Sequence, residues 1–425
     1  MQEMPKELKC NYIPDVKGEC HYCAFDEVKN KGVGSCHFFI DVPTIDELLI
    51  EQIKAKQIVY LEEIKEKVKK EQATLALGAG ISIPSGLPGW CGLISQLFGY
   101  AMQFSRYTSK EETEPSQQNQ QNRLESELIK GNLTMFEGGN VLETGQYISE
   151  ILKRSLGKKM GDEMLKELIS SIIHKGMRAC ELEGTLRCST NQEKREQAEK
   201  DSLRAVAYLL QAHDGFRRAI TYNYDTLVEE CLIYIYQVKP IQILSHPGKW
   251  SNFMKERIPD SIDIFHVHGC VPRREYEKEP DYRMLKESER IILSEDSYYS
   301  VEQLETYNWM NSIQSYYLNR DTCVFVGFSA DDYNFRRILR QMGEDNNRPR
   351  HFLVLTVDDL VKDIWQNVCR NNLGAKDVGA TEIRQQVLRL LNYELETKRY
   401  YWERKNIIPI WVTVQDIPKT LLSMI

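Results

Sequence analysis

The chain has 425 residues, of which 42% are apolar and 28% charged, a balance that fits a folded protein with a large core and excludes a disordered one. Acidic residues outnumber basic ones, 62 to 55, and the net charge of −7 argues against nucleic-acid binding by the surface as a whole. No apolar run approaches the roughly 20 residues that span a bilayer. The opening MQEMPKELKC holds no apolar signal core, so a cytoplasmic protein without membrane contact is expected.

Residues 1–40 form a cysteine-rich extension. Four of the eleven cysteines, Cys10, Cys20, Cys23 and Cys36, fall here, with His21 and His37 beside two of them. Cys20 and Cys23 have the spacing that lets two thiolates grip one zinc from a single turn, and Cys10 and Cys36 (or His37) could complete a tetrahedral structural site. The competing reading is a flexible arm with incidental cysteines, because the second such pair of a standard zinc module is missing. Residues 41–71 lead into a helix. Thr44 with Glu47 reads as a capping box, and Leu49, Ile53, Tyr60, Ile64 and Val68 keep a helical period that breaks once, at Gln57.

From residue 72 to the end, strand and helix patterns alternate, which predicts a Rossmann-like α/β domain: a parallel sheet with helices on both faces. Its first strand is Thr74–Leu77. The strand breaks at Gly78, Ala79 and Gly80, passes Ser82, Pro84, Ser85, Gly86 and Pro88, and enters a helix at Leu93–Phe98. A strand that breaks at glycines before a helix can present backbone N–H groups to a pyrophosphate. The full dinucleotide fingerprint is absent, since position 83 is Ile, and a plain tight turn explains the same residues. A helical and polar insertion at about 103–212 follows. Residues 105–140 are rich in Gln, Asn and Glu and read as a surface loop or a lid; residues 141–211 read as helical, with a polar patch at 190–200.

Three further strand ends carry polar residues. Phe216–Thr221 ends in Tyr222-Asn223-Tyr224-Asp225, just before a helix over 226–236. Ligands of open α/β sheets bind at such carboxyl ends, although Asp225 would also serve as an N-cap and Asn223 as a turn former. Ile262–Gly269 ends in His266-Val267-His268-Gly269; alternation places His266 and His268 on one face and Phe265 and Val267 on the other. His268 fits a general base at neutral pH or a structural histidine. Ile291–Leu293 reads as a short strand before a helix capped at Ser294 or Asp296. Thr322–Val326 breaks at Gly327 and Ser329, with Asp331, Asp332 and a helix over 335–342 after it. The strand Arg350–Thr356, the helix Thr381–Lys398, the strand Ile407–Val412 and a helix from Asp416 complete the chain.

Taken together, GAGISIPSGLPGW, TYNYD, HVHG and VGFS resemble the sirtuin superfamily, and more closely its bacterial sirtuin-like branch, in which N-Y-D replaces the N-I-D of the deacylases. The resemblance covers about residues 72–425. It implies that Gly78, Ala79, Gly80 and Ser82 cradle the NAD pyrophosphate and that Ser85, Gly86 and Pro88 lie over the nicotinamide ribose. It implies that Asn223 contacts that ribose and the attacking water, that Asp225 holds the carboxamide, and that His268 is the base. Gly327, Ser329 and Asp332 would line the adenosine side. Deacylases carry two cysteine pairs between the His-Gly and Gly-x-Ser motifs. Here Cys270 stands alone and residues 271–322 contain no cysteine, and Gly89-Trp90-Cys91 replaces Asp-Phe-Arg. The branch implies NAD hydrolysis in anti-phage defence by NAD depletion, with NAD as substrate. Unregulated hydrolysis would kill the host, so restraint by a homo-oligomeric state, the polar insertion or a partner protein is expected. An NAD-dependent deacylase and a non-catalytic NAD or ADP-ribose sensor are the alternatives.

Overall fold

The computed structural model describes residues 51–108, 141–174, 188, 190–238, 241–244, 258, 260–273, 291–294, 296–297, 308–328, 336, 339, 348–371 and 380–425. Cys10, Cys20, Cys23, Cys36, His21, His37, the Thr44/Glu47 cap, Ser329, Asp331, Asp332, all of 109–140 and most of 335–342 lie outside the described residues.

The elements run α1 (Glu51–Lys69), β1 (Ala73–Leu77), α2 (Trp90–Thr108), α3 (Val141–Leu156), α4 (Lys158–Ile173), α5 (Asn191–Ala198), α6 (Ser202–Gln211), β2 (Arg218–Thr221) and α7 (Leu227–Glu230). They continue with β3 (Ile241–Leu244), β4 (Ile262–His266), α8 (Asn308–Arg320), β5 (Thr322–Val326), β6 (His351–Thr356), α9 (Asp358–Asn371), α10 (Ala380–Glu403), β7 (Ile407–Val412) and α11 (Ile417–Leu422). Among the described residues, seven strands form one parallel sheet in the order β3-β4-β2-β1-β5-β6-β7.

Successive strand residues alternate between two apolar layers, as a parallel sheet covered on both faces requires. Leu75, Leu77, Val324, Val326, Ile408 and Ile410 face one layer, with the buried residues of α2, α3, α4 and α6. Ala76, Ile220, Phe265, Cys323, Phe325 and Ile407 face the other, against Trp309, Met310 and Ile313 of α8. The described helices α3, α4 and α6 of the 141–211 stretch therefore belong to the same core as the sheet. The polar patch of that stretch is α5, opened by a capping box in which Thr190 accepts from the Glu193 N–H and Glu193 accepts from the Thr190 N–H, both at 3.1 Å.

Two sequence irregularities are explained at the sheet's edge. His351 N bonds Asn406 O and Val357 N bonds Val412 O, so the even-numbered residues of β7 face β6 and the odd-numbered ones face the open edge. Pro409, with no N–H to offer, stands on that outer side, where proline is tolerated in a sheet. Gln57, the polar break in α1, accepts from the outward N–H of Trp411 at 2.7 Å and so closes the edge.

Some expectations are corrected. Residues 291–293 form no strand; Ile292 N makes a single bond to His268 O at 2.9 Å. The helix after Asp225 is one α-turn followed by a π-helical turn, Cys231–Ile235. Helices α2 and α10 are longer than their apolar runs, and β3, α8 and α9 are additional elements.

The sheet's amino end is closed by charge. Asp321 Oδ2 accepts from Thr74 Oγ1 at 2.7 Å and from Arg218 Nε at 3.1 Å, while Arg218 also donates to Glu71 O and lies 5.6 Å from the Tyr317 ring centroid. Arg218 and Asp321 are both buried. Removing one partner leaves a buried charge unpaired, so Asp321→Ala is expected to lower the unfolding free energy by about 3–5 kcal/mol. Urea denaturation measures this, and a loss below about 1 kcal/mol would show that the pair is not a stabilising clamp.

Candidate active site

The strand order reverses at β1: the chain leaves it toward β2 on one side and returns to it as β5 on the other. The crevice beyond the carboxyl ends at such a point is where open α/β sheets bind ligands. Here the loops after β1 and β5 touch main chain to main chain. Gly80 N donates to Gly327 O at 2.8 Å, and Gly78 N to Val326 O at 3.0 Å. A Cβ on Gly78 would lie 2.4 Å from Gly327 O, and one on Gly80 would lie 2.7 Å from Gly327 Cα. Gly327 itself has φ +62°, in the left-handed region. Close approach of two backbones is thus the first reason for these glycines. Beyond them, Ala79–Ile81 and Ile83–Ser85 form two single 3₁₀ turns, the second ended by Gly86 at φ +86°. Ser82 is buried between them, whereas Gly86 is exposed and Ser85 and Pro88 are half-buried.

The loop after β2 is joined to this one by side chains. Tyr222 N donates to Leu77 O at 3.0 Å, which holds the β2 end beside the β1 end. Asn223 Nδ2 lies 3.2 Å from Gly78 O and 3.3 Å from Ser82 Oγ, and Ser82 Oγ donates to Asp225 Oδ2 at 3.0 Å. Asp225 Oδ1 accepts from Leu227 N at 3.1 Å, an Asx turn one residue ahead of the helix's N-cap, Thr226, which corrects the expectation of Asp225 as the cap. Burial raises the Asp225 carboxyl above its ordinary pKa, against the two hydrogen bonds it accepts and with the charge of Glu229.

The two histidines of HVHG part company. Strand β4 ends at His266, residues 267–268 form a turn, and Gly269 has φ +98°, so alternation stops before His268. The expectation of one shared face is corrected. His268 meets Tyr222 edge to face at 4.9 Å between centroids, and Tyr222 meets Phe328 at 4.7 Å. A row of rings thus ties the β4, β2 and β5 loops together. His266 lies under Asn223, with Nδ1 3.2 Å from Asn223 O and Nε2 2.7 Å from Glu229 Oε1. Val271 N donates to Tyr224 O at 2.8 Å and Tyr224 OH to Ile292 O at 2.7 Å, which fastens the 291–294 segment behind His268.

The described candidates from all four loops, Gly78 to Ser82, Asn223, Asp225, His268 and Gly327, therefore meet at one rim. Four contributors escaped the sequence analysis: Tyr222, Glu229, His266 as a partner of Asn223, and Gly145. A Cβ on Gly145 would stand 2.4 Å from Leu293 O, so α3 presses on the segment that carries the bond to His268. The visible signal was a glycine inside a strong helical pattern, which costs about 1 kcal/mol relative to alanine and calls for a packing reason. Among the described residues no group of three His, Cys, Asp or Glu side chains could hold a metal. Cys270 is buried beside His266, and burial pushes its thiol up.

A family model described as SIR2-like domain matches residues 217–378. That segment contains TYNYD, HVHG and VGFS, while GAGISIPSGLPGW precedes it. The match supports membership of the sirtuin-like superfamily, and a SIR2-like domain implies an NAD-related activity. A search of curated proteins finds no match to the chain.

Two tests follow from the packing. Gly80→Ala drives a methyl group into the Gly327 backbone and is expected to destabilise the protein by about 1–3 kcal/mol; an unchanged urea midpoint would contradict the contact. Glu230 accepts from Thr226 Oγ1 at 2.8 Å and lies 3.4 Å from Arg273 Nε, and burial lifts its carboxyl from 4.5 to about 7. Between those values the folded chain keeps a proton that the unfolded chain has lost. Stability should therefore fall by up to about 3 kcal/mol as the pH rises through that window. Glu230→Gln should flatten this slope in denaturation curves taken from pH 5 to pH 7.5 or so, and an unchanged slope would assign the proton elsewhere.

Proposed function

We propose that the chain is an NAD⁺ glycohydrolase, which breaks the bond between the nicotinamide nitrogen and C1′ of the adjoining ribose. The observation that supports this most is the convergence of Ser82, Asn223, Asp225 and His268 from three strand ends at the switch point of a SIR2-like sheet.

The residue types suit the chemistry. The C1′–N bond breaks with its electron pair going to the cationic ring, which leaves as neutral nicotinamide. The ribose passes through an oxocarbenium-like state. Water forms the new C1′–O bond, and the proton it loses passes to His268 and then to solvent, so NAD⁺ and water give nicotinamide, ADP-ribose and one proton. Asn223 orients the ribose and the water. Asp225, now bonded to Ser82, accepts from the nicotinamide carboxamide and fixes the leaving group. Ser82 and the Gly78–Gly80 turn would lie along the pyrophosphate, and Gly327 would line the adenosine side. Ser85, Gly86 and Pro88 cover the ribose.

Water is the favoured acceptor because the chain lacks the paired cysteines of the deacylases between Cys270 and Thr322. Depletion of NAD in anti-phage defence is the biological role that fits such an enzyme, and a homo-oligomer or partner protein would restrain it. A structural zinc on Cys10, Cys20, Cys23 and Cys36 would serve assembly or partner contact rather than catalysis.

Purified protein with NAD alone should release nicotinamide and ADP-ribose in equal amounts, read by chromatography. Asn223→Ala and His268→Ala should each lower the rate about 100-fold or more, with the circular dichroism spectrum unchanged. Release that requires an acylated peptide would favour a deacylase, and tight NAD binding without turnover would favour a sensor.

A further inference from the structure

We propose that His266, by donating from both ring nitrogens to Glu229 and to the main-chain oxygen of Asn223, is a positioning residue that aims the Asn223 carboxamide; the proposal rests on the NAD hydrolase reading.

Both oxygen partners of the ring are acceptors, and the Cys270 side chain hydrogen-bonds it as well. The Asn223 carbonyl, 3.2 Å from Nδ1, can only accept, and the Glu229 carboxylate, 2.7 Å from Nε2, accepts as well. A ring that donates to both carries a proton on each nitrogen and is a cation. It is fully buried, as is Glu229 to within 1%. Burial opposes that charge, but Cys270 and Glu229 outweigh it and hold the ring well above its ordinary pKa. The groups facing it are Glu229 from α7, Cys270 from the turn after β4, and Asp225 from the loop after β2. A buried ion pair gains little net stability over apolar packing, so its value here lies in fixed geometry.

What it fixes is the residue that works on the other side of the loop. The Asn223 N–H donates to Thr221 Oγ1 at 3.1 Å and its carbonyl accepts from His266. With both main-chain groups tied, the side chain is left pointing at Ser82 and Gly78 O. Glu229 sits two residues after Leu227, whose N–H binds Asp225. The pair thus ties β4 and α7 to the short loop that carries both Asn223 and Asp225.

Two substitutions separate this role from a plain ion pair. An asparagine amide reaches about as far as Nδ1 and a glutamine amide about as far as Nε2. His266→Asn keeps the bond to Asn223 O and strands Glu229; His266→Gln keeps Glu229 and frees the Asn223 carbonyl. In the full chain, His266→Gln should lose about 30-fold or more in kcat for NAD with KM within a few-fold. His266→Asn should recover most of that loss despite the weaker fold. Amide hydrogen exchange over residues 221–227 should accelerate in His266→Gln more than in His266→Asn. A structural ion pair gives the reverse order, because His266→Asn is the variant that leaves the buried carboxylate alone; that order, or equal losses, would overturn the proposal. The exchange order decides the matter even if the wild-type chain does not cleave NAD, in which case the hydrolase reading alone fails. If either variant does not fold, ¹⁵N-histidine spectra of the wild type decide it: two protonated ring nitrogens at pH 8 or so support the proposal, and a ring without a proton on Nδ1 overturns it.

Discussion

The contact on which the rest depends is the meeting of two backbones, at Gly78 and Gly80 on one side and Gly327 on the other. No side chain fits between them, since any Cβ there would fall within 3 Å of main-chain atoms. This approach brings the end of β1 to the end of β5 at the place where the strand order reverses. Without it the rim would be wider and the loops could not share partners. The Ser82, Asn223 and Asp225 contacts follow from that spacing, because Ser82 lies only two residues beyond Gly80.

The two ends of the sheet carry opposite chemistry. At the amino end Asp321 Oδ2 accepts from both Arg218 and Thr74 while its Oδ1 makes no hydrogen bond, and Arg218 also holds the Glu71 carbonyl, so buried charge there acts as a clamp. At the carboxyl end acids accumulate: Asp225, Glu229 and Glu230 lie within six residues. Burial lifts Asp225 and Glu230, and the compensating cations are His266 and Arg273. Perturbed acids beside a crevice are a common mark of functional sites.

Much of the architecture was legible. Apolar runs that broke at Gly78, Asn223, Gly269 and Gly327 announced strand ends, and their alternation with helices fixed a parallel sheet. What was harder to read has physical causes. Strand β3 is four residues long with Gln242 inside it; that glutamine accepts from Ser261 Oγ and Ile258 N, a tertiary satisfaction that no pattern reveals. The false strand at Ile291–Leu293 is apolar because it is buried behind His268, and burial alone does not make a ladder. Helix α9 had a readable signal, with Val361, Ile364, Trp365 and Val368 at helical spacing. In the site, the residue types were legible but their pairings were not. The strand ended at His266, so alternation did not carry through to His268, and only tertiary contact reveals that His266 works through a carbonyl.

The central claim is that this rim holds a nicotinamide dinucleotide, and the crystal structure of the Asn223→Ala protein soaked with NAD tests it most directly. The account predicts the carboxamide on Asp225, the nicotinamide ribose between position 223 and His268, and the pyrophosphate along Gly78–Ser82. A nucleotide bound elsewhere, or a rim that stays closed with Ser82 still on Asp225, would contradict it.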